Sequence, residues 1–254
     1  MKPRNLGECE VAGEPQRAVA DRAGRPPDIL PPAMGVILLI RHGQASFGSD
    51  DYDVLSEQGH VQARHTGTVL AARGIEPARV IAGGLRRQRE TAEGLLAGLG
   101  RADLPIAEDP RWNEYDQFGL LGLGPQVEEW PEDLAQRNLV FQAALDQALA
   151  AWVGGAVADG GGESHADFHG RATAALEELK TAKGTTLVVS SGGVIALVAA
   201  HLMGVEPAHW PALNRTMVNA SITKVITGRR GATLVSLNEH GHLEGADGVA
   251  VTYR

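Results

Sequence analysis

The chain has 254 residues, 43% of them apolar and 21% charged, and carries a formal net charge of -8. That composition is ordinary for a globular protein with a real core, and the acidic balance excludes a nucleic-acid binder that needs a basic face. The single cysteine, Cys9, excludes an intramolecular disulfide and a cysteine-built zinc cage, and the apolar run VILLI at 36–40 is far short of the ~20 residues of a membrane span.

Residues 1–33 hold six of the 13 prolines, scattered charges and no apolar stretch of the secretory kind. They are predicted to be a poorly ordered tail, or the product of an overlong start site, ahead of one domain at 34–254. A cytoplasmic location is the expectation.

GVILLI (35–40) is short, β-branched and apolar on both faces, which predicts a buried parallel strand. In LSEQGHVQARHTGTVLAARG (55–74), Ser56 is a good N-cap for a helix that stops at Gly74. ARVIAG (78–83) reads as strand, followed by a helix to about Leu99 and by a short strand and loop at 105–115. A weakly amphipathic helical stretch is predicted over about 126–153, broken by Gly160 to Gly162, with Ser164 capping another helix to about Lys180. TTLVVS (185–190) is predicted strand and GVIALVAAHLMG (193–204) helix, and SITKVIT (221–227) and ATLVSLN (232–238) are predicted strands. Alternating strands and helices define an α/β fold: a mainly parallel sheet with helices on both faces and a helical excursion, residues 126–180, over one edge.

Ligands in such sheets bind beyond the carboxyl ends of the strands. The first predicted strand runs into Arg41-His42-Gly43-Gln44, a charged residue and an imidazole that would not be buried unpaired. The second opens GGLRRQRETA (83–92), where Arg86 and Arg89 share a helix face and Arg87 points elsewhere. The third segment delivers Glu114, with Asp116 as an alternative carboxyl, and the fourth delivers Ser190-Ser191-Gly192-Gly193 at a helix N-terminus, where free N–H groups favour an anion. An arginine fork, an imidazole, a carboxyl group and amide donors aimed at one crevice read as a phosphate site with a nitrogen nucleophile and a general acid.

The ordered set LLIRHGQ, LSEQGHVQA, LRRQRETA, Asn113-Glu114, GES (162–164) and VVSSGG resembles the histidine phosphatase superfamily, also called phosphoglycerate mutase-like, across about 35–240. The resemblance implies that His42 is a nucleophile that becomes phosphohistidine, that Arg41 and Arg87 bind the phosphoryl group, and that Glu114 protonates the leaving oxygen and later activates water. It gives Ser56 and Gln62 mostly structural roles. The chain departs at Ser191, where the family usually carries a second pocket histidine. A hydroxyl there keeps one hydrogen bond but loses a cation, about 1.5–3 kcal/mol or roughly ten- to a hundredfold in rate.

The expectation is thus a metal-independent phosphatase for a small phosphomonoester, with Gln44, Ser191 and the amides near Gly192 completing the cradle. No cofactor, nucleic acid or membrane partner is expected, and the oligomeric state is left open, a homodimer among the options. The rivals are a phosphate-binding pseudoenzyme and a phosphoglycerate-type mutase. Ser191 is not the nucleophile of a G-x-S-x-G elbow, because position 189 is Val. His165 and His169 at i, i+4, and His240 and His242, are read as surface residues before metal ligands. Phe47, Tyr52, Trp112, Tyr115 and Phe118 are expected to form a partly aromatic rim.

Overall fold

The first strand, β1 (Gly35–Arg41), is buried at every position. Its alternate side chains feed two cores, since Val36, Leu38 and Ile40 pack with Val80, Ala82, Leu187 and Val189 on one face. Ile37 and Leu39 pack with Ile81 and Val188 on the other. Each such side chain taken fully out of water contributes about 1.5–3 kcal/mol, which is why this run is continuously apolar. The computed structural model describes residues 34–46, 53–127, 129–158 and 161–253. The expectations for the tail at 1–33, and for Phe47 and Tyr52, lie outside those residues.

The chain continues through α1 (Glu57–Ala72), β2 (Pro77–Ala82), α2 (Arg86–Leu99) and the short β3 (Ile106–Glu108). Ser56 caps α1 by accepting from the Gly59 amide at 3.1 Å. After the one-turn α3 (Gln117–Leu120) come α4 (Leu134–Val153), α5 (His165–Leu179), β4 (Gly184–Ser190), α6 (Gly192–Met203), α7 (Trp210–Thr216), β5 (Ile222–Gly228) and β6 (Gly231–Glu239). The sheet order is β3-β2-β4-β1-β5-β6. Four strands, β3, β2, β4 and β1, run parallel, while β5 and β6 are antiparallel neighbours at one side. Only Arg229 and Arg230 join β5 to β6, a turn that permits a hairpin and no crossover. Helices α1 and α2 cover one face through Leu70, Ala92, Leu95 and Leu96. Helices α5 and α6 cover the other through Phe168, Leu176, Val194 and Leu197.

Two expectations are corrected. The helix foreseen from 126 starts only at Leu134, behind Asp133, whose carboxylate accepts from the Gln136 amide at 2.9 Å. Pro131 explains the delay, because it steers the residue before it away from helical angles. Trp112 and Tyr115 are core residues and line no rim. The Tyr115 ring lies 5.4–5.7 Å from Trp152, Phe168 and Trp210. Among the described residues no helix is long and apolar enough to cross a membrane.

His242, beyond β6, is tucked against α1, its ring stacked on His65 at 6.3 Å and its Nε2 3.1 Å from Thr66 Oγ1. Burial pushes its imidazole down to about 4, with the positive charges of Arg73 and His65 adding to the effect. The unfolded chain takes up this proton at the ordinary value near 6.5 and the folded chain does not, so the stability is intact above pH 6.5 and is lost as the pH falls towards 4. The His242→Gln variant should therefore lose less melting temperature than wild type between those two values, by roughly 3–6 °C in calorimetric scans.

Candidate active site

Parallel pairing sets Arg41 level with Ser190 across β1 and β4. The next residue, His42, leaves the sheet with its amide donating to Ser190 O at 2.9 Å. Its carbonyl accepts from the Ala220 amide at 3.2 Å and from Asn219 Nδ2 at 3.2 Å. The imidazole is oriented as firmly as the backbone. Its Nδ1 lies 2.7 Å from Gly43 O, and a carbonyl can only accept, so Nδ1 carries the proton and Nε2 the lone pair. Arg87 Nε donates to that Nε2 at 3.3 Å.

Gly43 is required by contact, since a Cβ there would stand 2.4 Å from Gly59 O on α1. A Cβ on Gly59 would in turn stand 2.2 Å from Gln44 O. The turn after His42 thus lies directly on the first turn of α1. Thr91 Oγ1 accepts from the Gly43 amide at 3.0 Å, and Gln62 Oε1 accepts from the Gln44 amide at 2.9 Å.

The two arginines arrive from different elements, Arg41 at the end of β1 and Arg87 in the first turn of α2. Arg41 donates to Met217 O and passes within 3.3 Å of where a Cβ on Gly192 would be. Arg87 is buried at the start of α2, with Nη1 2.6 Å from Asp53 Oδ1. Arg86 and Arg89, on the outer face of that helix, are exposed and pair with Glu90 at 2.9 Å and Glu108 at 2.7 Å. The helical phase thus divides the three arginines into one site residue and two surface ones.

Glu114 Oε2 accepts from the Gly193 amide at 3.0 Å, which places the carboxyl group at the N-terminus of α6. Asp116, the other carboxyl considered, caps α3 through the Phe118 and Gly119 amides at 3.1 and 2.9 Å. Gln44 Oε1 accepts from Ser56 Oγ at 2.8 Å, and Gln44 opens with Arg41 and His42 onto a cleft of about 410 Å³. Ser191 is fully buried, and its hydroxyl accepts from Gln88 Nε2 at 2.9 Å. Gln88 also donates to Trp112 O at 3.1 Å and is itself fully buried.

Arg171, Asn219 and Thr252 have no signal in the sequence taken alone, whereas Gln62 was expected in a structural role. Arg171 on α5 donates to Arg111 O at 2.8 Å and Asn113 O at 2.6 Å while paired with Glu163, clamping the segment that carries Glu114. Gln62 Nε2 donates to Ala250 O and Thr252 Oγ1, both at 2.8 Å, and Thr252 Oγ1 donates to Asn219 at 3.1 Å. Ala250 and Thr252 are thereby tied to the support of His42. His165 and His169 sit away from this site, His169 against His201 with ring centroids 5.3 Å apart.

The fold and the convergent groups define an α/β protein with an imidazole and two guanidinium groups at the carboxyl edge of a parallel sheet. The family model for the histidine phosphatase superfamily (branch 1) matches residues 37–240, and the chain belongs to that superfamily. A glucosyl-3-phosphoglycerate phosphatase of Mycolicibacterium vanbaalenii is 32% identical over 203 residues, covering 73% of this chain and 81% of the relative. A 2,3-bisphosphoglycerate-dependent phosphoglycerate mutase of Mesorhizobium japonicum is 33% identical over 106 residues, 38% of this chain, which spans about half (51%) of that relative's length. The solved native structure of a mycobacterial glucosyl-3-phosphoglycerate phosphatase superposes with a TM-score of 0.58 at 26% identity, over 82% of this chain and 100% of that one.

The contact at Gly59 has a testable sign. Helix propensity alone favours Gly59→Ala by about 1 kcal/mol, whereas a methyl group 2.2 Å from a backbone oxygen must push the His42 turn away. The variant should be destabilised by about 1–3 kcal/mol, read from chemical denaturation.

Proposed function

We propose that this chain hydrolyses a small phosphomonoester through a phosphohistidine formed at His42, with no metal ion. The observation that carries the reading is the orientation of the imidazole. Nδ1–H is spent on Gly43 O, and Nε2 keeps its lone pair beside the Arg87 guanidinium. In the first step Nε2 attacks phosphorus, the P–N bond forms and the bond to the leaving oxygen breaks, while Glu114 delivers a proton to that oxygen. In the second, Glu114 takes a proton from water, whose oxygen attacks phosphorus and releases His42 and inorganic phosphate. Arg41 and Arg87 spread the developing negative charge, and the Gly192 and Gly193 end of α6 adds backbone dipoles.

Members of the superfamily are phosphatases or mutases. Hydrolysis is favoured here because a mutase holds a second anionic group, and Arg137 is the only Lys or Arg between 115 and 162. Arg137 is exposed, with Nε turned to Pro131 O at 3.1 Å. The pseudoenzyme reading has one observation in its favour, the engagement of Ser191 by Gln88 at 2.9 Å. That bond uses a lone pair of Ser191 and leaves its hydroxyl proton to donate to a phosphoryl oxygen. Asp53 must release Arg87 when phosphate enters. A cytoplasmic site of action belongs to the same proposal, supported by a chain with one cysteine.

Incubation with a labelled phosphomonoester in EDTA should give an acid-labile phosphoenzyme and steady phosphate release. His42→Ala should lose both, with turnover down at least about a thousandfold. Phosphate binding without a phosphoenzyme would favour the pseudoenzyme, and interconversion of 2- and 3-phosphoglycerate would favour the mutase.

A further inference from the structure

The cleft above His42 is unevenly charged. Among the described residues that line it, Arg41 and His42 are the only ones that can carry charge, and both belong to the phosphate end. The remainder of the wall is uncharged: the amides of Gln117 on α3, Asn138 and Gln142 on α4, and Asn219, with the rings of Phe141 and Tyr253 and the aliphatic Leu139. Asn219 is committed to His42 O and Thr252, and Gln142 Nε2 to Asp146 at 2.9 Å. Asp146 is itself matched by Arg215 at 3.1 Å and adds no uncompensated charge. The side chains of Gln117 and Asn138 spend no hydrogen bond on another described residue and face the cleft. Residues 43–63, which follow His42, contain neither Lys nor Arg, and Arg137, beside Asn138, is exposed with its Nε on Pro131 O.

An anionic group carried into this end of the cleft would find no positive partner among the described residues that line it. A hydroxyl group fares differently. An amide both donates and accepts, so each of Gln117 and Asn138 can satisfy a hydroxyl whichever way it turns. The Phe141 and Tyr253 rings offer apolar surface to C–H faces. A volume of about 410 Å³ lies at the small end of the usual range for ligand clefts.

We propose that the phosphoester this site takes carries an uncharged, hydroxyl-bearing organic group of about the size of a single sugar, and that the cleft selects against a second anion. The inference rests on the phosphatase reading above. It departs from a simple transfer from the relatives, because the phosphoglycerate in their names brings a carboxylate.

The discriminating pair is glycerol 3-phosphate and 3-phosphoglycerate, which differ by a hydroxymethyl group in place of a carboxylate, with p-nitrophenyl phosphate as the probe of chemistry alone. His42-dependent hydrolysis of p-nitrophenyl phosphate tests the underlying reading, and its failure removes that reading and this inference together. Given that activity, kcat/KM should favour glycerol 3-phosphate by about tenfold or more. Equal rates, or a preference for 3-phosphoglycerate, overturn the inference and leave the phosphatase standing. Gln142→Arg should move the ratio towards 3-phosphoglycerate by about tenfold, and an unmoved ratio counts against it. Arg254, which follows Tyr253, lies outside the described residues, and Arg254→Ala should keep the wild-type preference.

Discussion

When β1 pairs with β4 in parallel and Arg41 stands opposite Ser190, the residues just past both strands are forced together at the sheet's carboxyl edge. His42 leaves one strand and Ser191 leaves the other, with the His42 amide bonded to Ser190 O at 2.9 Å. A shift of one residue would put the imidazole on the other face of the sheet and exchange the two cores. The apolar content of both strands prevents it, since every side chain of β1 is buried and must match its layer. The groups at the edge are therefore brought together by hydrophobic register.

Around that register the polar groups are arranged as successive restraints. Gly43 O holds the His42 ring, Gln62 holds the turn through Gln44, and Asn219 holds the His42 carbonyl. Behind Asn219 stands Thr252, which also accepts from Gln62. In the proposed role of His42 as nucleophile such restraint leaves little reorientation to be done in the transition state. The Glu114 segment is held in the same manner by Arg171, whose planar fork reaches two carbonyl oxygens while paired with Glu163.

The departure at Ser191 is coupled to a second feature of this chain. The Gln88 amide occupies the space beside Ser191 and is bonded to it and to Trp112 O. A neutral pair thus fills the position at which the family resemblance leads one to expect a histidine. The positive charge of the pocket falls to Arg41 and Arg87, and Arg87 is balanced by Asp53 in the unliganded fold.

Most of the elements were legible in the residue order, because periodicity, Ser caps and glycine stops act over a few neighbours. β1, α1, α5, β4 and α6 begin and end within about two residues of their predicted limits. The nucleophile candidate, the paired arginines and the anion-favouring turn were legible as motifs, as was the division of Arg87 from Arg86 and Arg89 by helical phase. The rest depended on partners remote in sequence. The burial of Trp112 and Tyr115, the Gln88–Ser191 bond and the Arg171 clamp all join residues that no local pattern relates. Residue order determined which groups were available to the candidate site. Tertiary structure decided the lone pair on His42 Nε2, the cation beside it and the uncharged wall above, because hydrogen-bond geometry and burial exist only once distant segments are packed together.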